Sequence, residues 1–181
     1  MIIVDEIMSL DGWAARPDGR IDFFVDVESL VDSVGSAEGM SRVAAVLLGA
    51  QTYREFSDFW PAQDPTADVN RLPKHVLSTT LESAPWGEGP AASVEHGDAV
   101  DVARDLEHRY GGDVIVWGSL TVARALLSAG AVDELWLRVV PLALGAGRSF
   151  WPQQDLALRR VETRQQPGGW TTIRCRLNRV R

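Results

Sequence analysis

The sequence predicts an α/β protein in which helices cover both faces of a mostly parallel sheet. Apolar runs of strand length alternate with segments of helical periodicity along most of the 181 residues. The runs are apolar throughout, which indicates strands that are buried on both faces. Near the end of the chain, two alternating runs at residues 158–165 and 170–177 predict an antiparallel hairpin at one edge of the sheet.

The first half of the chain contains three predicted strands and two predicted helices. The strands cover residues 2–8, 43–48 and 75–78, and the helices cover residues 27–34 and 52–59. The helices are indicated by apolar side chains three and four residues apart, such as Val27, Leu30 and Val31. Residues 61–72 and 82–92 are rich in proline and polar residues and predict loops.

The second half repeats the alternation. Its predicted strands cover residues 93–95, 114–117 and 134–140, and its predicted helices cover residues 98–110 and 119–128. Val102, Leu106 and Tyr110 align on one side of the first of these helices, and Gly111 is a typical stop. No shift of composition divides the chain, so we expect a single domain over residues 1–181.

Composition excludes several classes of function. The net charge of −7 disfavours nucleic acid and anionic membranes as partners. The single cysteine, Cys175, excludes an intramolecular disulfide and any zinc site with two thiolates. His75, His96 and His108 lack the spacing of metal ligands, so no metal site is expected.

Two further features bear on location and ligand. No apolar run has the length of a membrane span, and residues 1–8 lack a basic leader, so we expect a cytoplasmic protein. Of the 18 basic residues only Lys74 is lysine. Arginine suits bidentate contacts with phosphate and carboxylate, so a local basic pocket is compatible with the acidic total.

Two strand–glycine–helix segments share one design. They contain Gly49, Ala50, Gln51 and Thr52 in the first segment, and Gly118, Ser119, Leu120 and Thr121 in the second. Each glycine lets a ligand approach the backbone, and each helix start offers unpaired N–H groups with partial positive charge. Two such turns at one sheet edge could hold the two phosphates of a dinucleotide. The alternative is that each is an ordinary connection, which also needs a small residue and a cap.

Three carboxylates lie in or just after the first strand. Asp5 and Glu6 interrupt its apolar run, and as neighbours they face opposite sides of the sheet. One of them could donate a proton beside a pocket; the alternative is an edge position or a salt bridge to Arg138. Asp11 follows the strand, where parallel sheets bind ligands, although Asp-Gly is also an ordinary turn.

Six short motifs in a fixed order carry a resemblance to a known family. They cover residues 8–12, 47–53, 72–79, 116–120, 132–135 and 140–148, and read MSLDG, LLGAQTY, LPKHVLST, VWGSL, VDEL and VPLALGAGR. This set resembles the RibD C-terminal domain family of the dihydrofolate-reductase-like superfamily. The resemblance implies a three-layer dihydrofolate-reductase-like fold, with a mostly parallel central sheet and a C-terminal antiparallel hairpin, that binds NADPH.

The resemblance also implies roles for particular residues. Residues 118–121 would line the pyrophosphate, residues 49–52 would meet the adenosine-side phosphates, and Ser78 and Thr79 would lie near the ribose 2′-phosphate. The backbone around Ile7 and Ala14 would hold the nicotinamide amide. The substrate would lie over the nicotinamide, near Asp11, Trp60 and Arg138.

Cofactor preference is open at one position. Members of the family often carry arginine directly after the first glycine, where it pairs with the 2′-phosphate, whereas this chain has Ala50. The resemblance implies NADPH as the cofactor, and the absence of this arginine leaves NADH possible.

The expected function is an NAD(P)H-dependent reductase of a small molecule. The resemblance implies reduction of 5-amino-6-(5-phosphoribosylamino)uracil in riboflavin biosynthesis, with Asp11 or Glu6 guiding the proton. The alternatives are a dihydrofolate- or pterin-type reductase of another substrate, and an inactive nucleotide-binding module. Besides the substrate, we expect a second copy of the chain as partner, in a homodimer formed through residues 134–140 and the terminal hairpin.

Overall fold

A computed structural model describes residues 1–24, 27, 30, 40–63 and 66–177. Within them the predicted alternation of strands and helices is confirmed. The strands are β1 (Ile2–Ser9), β2 (Val43–Gly49), β3 (Lys74–Leu77), β4 (Ala84–Trp86), β5 (Gly89–Glu95), β6 (Asp113–Trp117), β7 (Glu134–Val140), β8 (Arg159–Gln165) and β9 (Thr171–Arg176). The α-helices are α1 (Ala50–Gln63), α2 (Asp68–Arg71), α3 (Ala99–Tyr110) and α4 (Leu120–Ser128).

All of these strands belong to one sheet, in the order β4-β5-β3-β2-β6-β1-β7-β9-β8. The six strands from β5 to β7 in this order run parallel to one another. Their carboxyl ends therefore meet at one edge of the sheet, which is where parallel sheets bind ligands. β4 and the pair β8–β9 run antiparallel, so the predicted C-terminal hairpin is confirmed.

The sheet separates two apolar layers, as its doubly buried strands require. On one face, α3 and α4 pack Leu106 and Leu126 against Val4 and Val116. On the other face, α1 and α2 contribute Tyr53, Trp60 and Val69 to a core with Ile3 and Trp117. β1 lies at the centre, between β6 and β7, and its residues Ile2, Ile3 and Val4 are fully buried.

The two segments predicted as loops contain regular structure. Residues 61–72 begin with the end of α1, which continues through Pro61, and also hold α2. Proline lacks the helical N–H and crowds the carbonyl four residues earlier, and the helix ends two residues after it. Residues 82–92 form most of a β4–β5 hairpin whose Trp86 is buried and donates from Nε1 to Asn70 Oδ1 at 2.6 Å. The polar composition of this hairpin reflects β5, most of whose residues are exposed although the strand is paired on both sides.

One predicted helix lies mostly outside the described residues, and one predicted surface is buried. The helix predicted over residues 27–34 lies outside the described residues, apart from Val27 and Leu30. The expectation that residues 134–140 offer a free surface is wrong, because β7 is paired on both sides and six of its seven residues are buried. β8, by contrast, is an edge strand with every residue exposed. In the described part of the chain, no helix is both long and apolar enough to cross a membrane.

A polar cluster around His75 links β3, β5 and α3. His75 is buried; its Nδ1 lies 2.7 Å from Glu95 Oε1 on β5 and its Nε2 lies 2.9 Å from the Tyr110 hydroxyl on α3. Arg109 Nη1 contacts the same Glu95 oxygen at 3.2 Å. Burial lowers the pKa of His75, although Glu95 opposes the shift. The imidazole is therefore neutral in the folded protein near pH 7.

This cluster makes stability depend on pH. An unfolded histidine takes up its proton near pH 6.5 and the folded His75 does so at lower pH, so stability is present above about pH 6.5 and is lost as the pH falls. We expect the free energy of unfolding in urea to fall between about pH 7 and pH 5.5, and His75→Gln to flatten this slope by up to about 1.4 kcal/mol per pH unit. His108→Gln, on the exposed side of α3, is the control. Equal slopes in both variants and the parent protein would contradict the assignment.

Candidate functional site

A cleft of about 1290 Å³ opens at the edge where the parallel strands end. Its lining includes residues from the ends of β1, β2, β3 and β6, from the first turns of α1 and α4, and from the segments 13–24 and 147–153. The topology predicts this location, because these strands are parallel and adjacent in the sheet. The two glycine turns predicted to bind a ligand both line this cleft.

The hydroxyl of Ser119 joins the two turns. Its Oγ accepts a hydrogen bond from the backbone N–H of Gly49 at 2.5 Å, and it lies 3.1 Å from Thr52 Oγ1 and 3.2 Å from the Trp117 carbonyl. Although Ser119 precedes α4, its side chain makes no bond to its own helix. The start of α4 is thus tied to the end of β2 rather than capped by serine.

Backbone conformation brings the turns close together. Gly118 and Ser119 both have positive φ, 52° and 67°, and the latter value is costly for a residue with a side chain. A Cβ on Gly118 would lie 3.1 Å from Thr52 Cγ2, and a Cβ on Gly49 would lie 3.2 Å from Ser119 Oγ. The two glycines therefore leave little space between the turns, and their unsubstituted backbones face the cleft.

The electrostatics of the cleft favour an anion. α1 and α4 begin at the cleft, so their unpaired N–H groups and the positive ends of their dipoles are directed to this edge. Four arginines contribute to its lining: Arg54, Arg124, Arg138 and Arg148. The acids in the lining are Asp5, Glu6 and Glu55. In a chain with a net charge of −7, this edge is thus a local concentration of positive charge.

A buried ion pair forms part of the floor of the cleft. Asp5 Oδ1 accepts from Arg138 Nη1, and Asp5 Oδ2 accepts from Trp117 Nε1 at 2.7 Å. The two side chains of the pair are 0% and 5% exposed. The alternative reading of Asp5, a salt bridge to Arg138, is confirmed. The carboxylate links β1, β6 and β7 where their ends meet the cleft.

Glu6 lies on the opposite face of β1 and has a different environment. It is 4% exposed and lines the cleft, and its Oε1 has no hydrogen-bond partner within the described residues. Burial raises the pKa of Glu6 well above its ordinary value, and the negative charge of Asp5 adds to this shift. Both effects favour the protonated, uncharged form of its side chain.

Asp11 does not line the cleft. Its Oδ1 accepts from Ser9 Oγ at 2.6 Å and from Leu144 N at 3.0 Å, and its Oδ2 accepts from Gly145 N at 2.7 Å. These bonds lower the pKa of Asp11 to about 2, the Ser9 bond most strongly. Asp11 is therefore ionised, and its hydrogen bonds connect the turn after β1 to the loop after β7. Its part in proton transfer stays a prediction.

The other predicted cofactor residues are brought together. Ile7, Ala14, Ser78 and Thr79 line the cleft with the two turns. Ala14 is buried, and its N–H donates to the Arg148 carbonyl at 2.9 Å. The Ser78 hydroxyl accepts from the N–H groups of Thr80 and Leu81, which fixes the turn after β3.

The tryptophans divide between core and cleft. Trp60 is not in the cleft lining: it is 5% exposed, near the end of α1, and packs edge-on against Phe56 and Phe59. α1 turns its ring inward, and its contact with a substrate stays a prediction. Trp151 and Trp117 do line the cleft. The bond from Trp117 to Asp5 could be foreseen only from the sheet register.

No cluster of three or more His, Cys, Asp or Glu suited to a metal ion is found in the described part of the chain. Cys175 is buried, and its burial raises the pKa of the thiol.

Comparison with known proteins identifies relatives of this chain. A model of the RibD C-terminal domain family matches residues 1–172. Two proteins of Bacillus subtilis (strain 168) with no characterised function are similar along most of their length. YwjB is 27% identical over 163 residues, 87% of each chain. YyaP is 22% identical over 181 residues, 95% of this chain and 92% of its own.

Solved structures are similar over the same span. A candidate riboflavin biosynthesis protein from Shewanella sp. PV-4 has a TM-score of 0.75 at 22% identity, covering 98% of this chain and 99% of that one. Dihydrofolate reductase from Enterococcus faecalis, solved with NADP(H), has a TM-score of 0.66 at 13% identity, covering 98% and 96%. A deaminase/5-amino-6-(5-phosphoribosylamino)uracil reductase from Thermotoga maritima has a TM-score of 0.68 at 16% identity, covering 98% and 56%. These likenesses show a dihydrofolate-reductase-like fold.

The bridge between the turns can be tested by its effect on stability. Ser119→Ala removes the acceptor of the Gly49 N–H and is expected to lower the free energy of unfolding in urea by about 1–3 kcal/mol. Ser128→Ala, in the exposed last turn of α4, is the matched control and should change stability by less than about 0.5 kcal/mol. Equal stabilities of the two variants would show that the hydroxyl does not hold the turns together.

Proposed function

The chain belongs to the RibD C-terminal domain family, and from that premise we propose that it is an NADPH-dependent reductase of a small heterocyclic substrate. One observation carries the proposal. Two glycine turns, each opening a helix, meet across a single serine hydroxyl in a cleft that is rich in arginine. Such an arrangement matches the paired phosphates of a dinucleotide.

The proposed cofactor site uses the residues that line this cleft. The N–H groups at the start of α4, in residues 118–121, would hold one phosphate, and those at the start of α1, in residues 49–52, the other. Ser78 and Thr79 would lie toward the adenosine end, and the backbone of Ile7 and Ala14 toward the nicotinamide end. The close approach of the two turns supports this fit, since a side chain on either glycine would meet the facing turn, at Ser119 for Gly49 and at Thr52 for Gly118.

The chemistry of such a reductase is divided between cofactor and protein. A bound nicotinamide supplies hydride, and the protein binds, orients and excludes water. The apolar walls from Ile21, Phe24, Phe56 and Trp151 suit an aromatic ring stacked in the cleft. On the floor, Asp5 and Arg138 hold each other, so the ion pair gives the pocket a fixed polar surface.

We propose a substrate of the class reduced by the Thermotoga maritima relative, a phosphoribosylamino-uracil. The excess of arginine in the cleft supports an anionic substrate beside an anionic cofactor. A dihydrofolate- or pterin-type substrate, and loss of catalysis, are the outcomes against which this proposal is tested. Because reduced nicotinamide is an intracellular cofactor, the proposal includes a cytoplasmic location.

The test is binding followed by turnover. Purified protein should quench its tryptophan emission on titration with NADPH, and should then oxidise NADPH only with 5-amino-6-(5-phosphoribosylamino)uracil. Turnover of dihydrofolate instead would favour the pterin-type alternative. Tight binding of NADPH without turnover of either substrate would favour a nucleotide-binding module. No binding of NADPH or NADH would reject the proposal.

Arg54 is expected to set the cofactor preference in place of an arginine at position 50. It lies one helical turn after Ala50 on α1, lines the cleft, and makes no ion pair with any described residue. Arg54→Ala should reduce a preference of about tenfold for NADPH over NADH, which corresponds to about 1.4 kcal/mol. Arg104→Ala, on α3 outside the cleft, is the control. An unchanged ratio in Arg54→Ala would assign the preference elsewhere.

We also propose a homodimer that forms through the terminal hairpin. β8 lies at the edge of the sheet with all its residues exposed, including Val161 at 53%. An open edge strand is a template for pairing with another chain. Light scattering should give twice the chain mass, and Val161→Lys should shift it toward the monomer. A monomer mass for the unaltered protein would contradict this assembly.

The proposal treats residues 1–181 as one domain. The first strand, β1, lies between β6 and β7, so the two ends of the described chain complete the same sheet. Neither half has a separate sheet of its own in the described residues.

A further inference from the structure

Glu6 lines the cleft, and no contact within the described residues accounts for the burial of this acid. Its neighbour Asp5 is paired with Arg138 and Trp117, whereas Glu6 has no ion pair with a described residue and its Oε1 has no hydrogen-bond partner among them. A buried polar group without a partner costs free energy. A leucine at this position would fit the apolar layer formed by Val4 and Leu137 on the same face. The cost of Glu6 therefore points to a partner supplied by a ligand.

The surroundings of Glu6 keep it uncharged. Charged residues lining the same cleft are Asp5, Arg54, Glu55, Arg124, Arg138 and Arg148. Among these, Asp5 is the group that acts on the pKa of Glu6, and it raises it together with burial. The guanidinium of Arg138 is held by Asp5 on the other face of β1. Within the described residues, Glu6 makes no ion pair that would stabilise its ionised form.

A neutral carboxylic acid offers one O–H donor beside one carbonyl acceptor. This pair is complementary to a group that presents one acceptor beside one N–H donor. Primary carboxamides and the lactam edge of uracil-type rings have that pattern. A phosphate, a carboxylate or a hydrocarbon does not.

We propose that Glu6 recognises an amide edge of a ligand bound in the cleft by a two-point hydrogen bond of its neutral carboxyl group. The inference rests on the proposed function and adds the chemical class that this residue reads. The amide edge has two sources in the proposed reaction: the carboxamide of the nicotinamide and the lactam of the substrate ring. Glu6 is a binding residue here, and no proton leaves it during recognition.

Three variants separate recognition from packing. Glu6→Gln stays neutral and keeps one donor and one acceptor, so it should bind like the parent protein. Glu6→Leu loses both groups and should bind about tenfold more weakly, the effect of one to two hydrogen bonds. Its melting temperature should nevertheless rise, because an unpaired buried acid is replaced by an apolar side chain. Met8→Leu, on the same face of β1 but outside the cleft, is the control.

Two pairs of probes identify the source of the amide. For the cofactor, NADPH is compared with its 3-acetylpyridine analogue, which keeps the carbonyl but lacks the N–H donor. For the substrate ring, 6-aminouracil is compared with its 1,3-dimethyl derivative, which lacks the ring N–H groups. The parent protein and Glu6→Gln should discriminate within one pair by roughly three- to tenfold. Glu6→Leu should not discriminate in that pair.

The pH dependence supplies a second readout. Binding of the recognised probe to the parent protein should weaken with rising pH, over the range in which the carboxyl group ionises and loses its O–H donor. Binding to Glu6→Gln should lack this decline. An infrared band of a protonated carboxyl group, present in the parent protein and absent in Glu6→Gln, should disappear over the same range.

The outcomes distinguish the inference from the proposed function. Equal binding of all probes by the parent protein, Glu6→Gln and Glu6→Leu would overturn the role of Glu6 and leave the reductase proposal intact. Failure of the parent protein to bind NADPH would reject the reductase proposal, and the uracil pair would then decide the inference alone. Weaker binding in both Glu6→Gln and Glu6→Leu without discrimination between probes would also overturn it, as a packing effect.

Discussion

The hydrogen bond from the Gly49 N–H to the Ser119 hydroxyl is the contact on which the site depends. It joins the end of β2 to the start of α4, two segments that are 70 positions apart in the chain. To reach it, Ser119 adopts a positive φ, which costs of order 1 kcal/mol, and gives up the usual serine cap of its own helix. The hydrogen bond that results holds the N-termini of α1 and α4 at a fixed spacing. A side chain on Gly49 or Gly118 would crowd the facing turn, so the two glycines permit this close approach.

The central strand β1 carries two buried acids, Asp5 and Glu6, whose surroundings differ. Asp5 remains an ion because Arg138 and Trp117 occupy both of its oxygens. Removing one partner of such a buried pair typically costs about 3–5 kcal/mol, so the pair also fixes the register of β1, β6 and β7 at the cleft. Glu6, one residue later, faces the other layer and makes no ion pair within the described residues, and its burial raises its pKa and so favours the uncharged form. One strand thus presents a saturated ion pair on one face and an unsatisfied acid on the other, at the position where a ligand enters.

The sequence predicted most of the fold because the buried strands are apolar throughout and the helices repeat regularly. It failed for β4 and the start of β5, where exposed, polar and proline-containing residues hide a hairpin anchored by one buried side chain, Trp86. At the site, the two glycine turns were predictable from local pattern, since each strand–glycine–helix segment carries its own signal. The roles of Asp11 and Trp60 were not, because they depend on the loop after β7 and on the rotation of α1. The Asp5–Arg138 pair was offered only as an alternative, and parallel register made it the actual contact.

The central claim is that the two turns act together as one phosphate-binding unit. Hydrogen–deuterium exchange with and without saturating NADPH measures this directly, on peptides covering residues 47–55 and 116–124. The account predicts that exchange slows in both peptides together, and that in Ser119→Ala the two responses become unequal. Protection of one turn alone, or protection confined to other segments while NADPH binds, would contradict it.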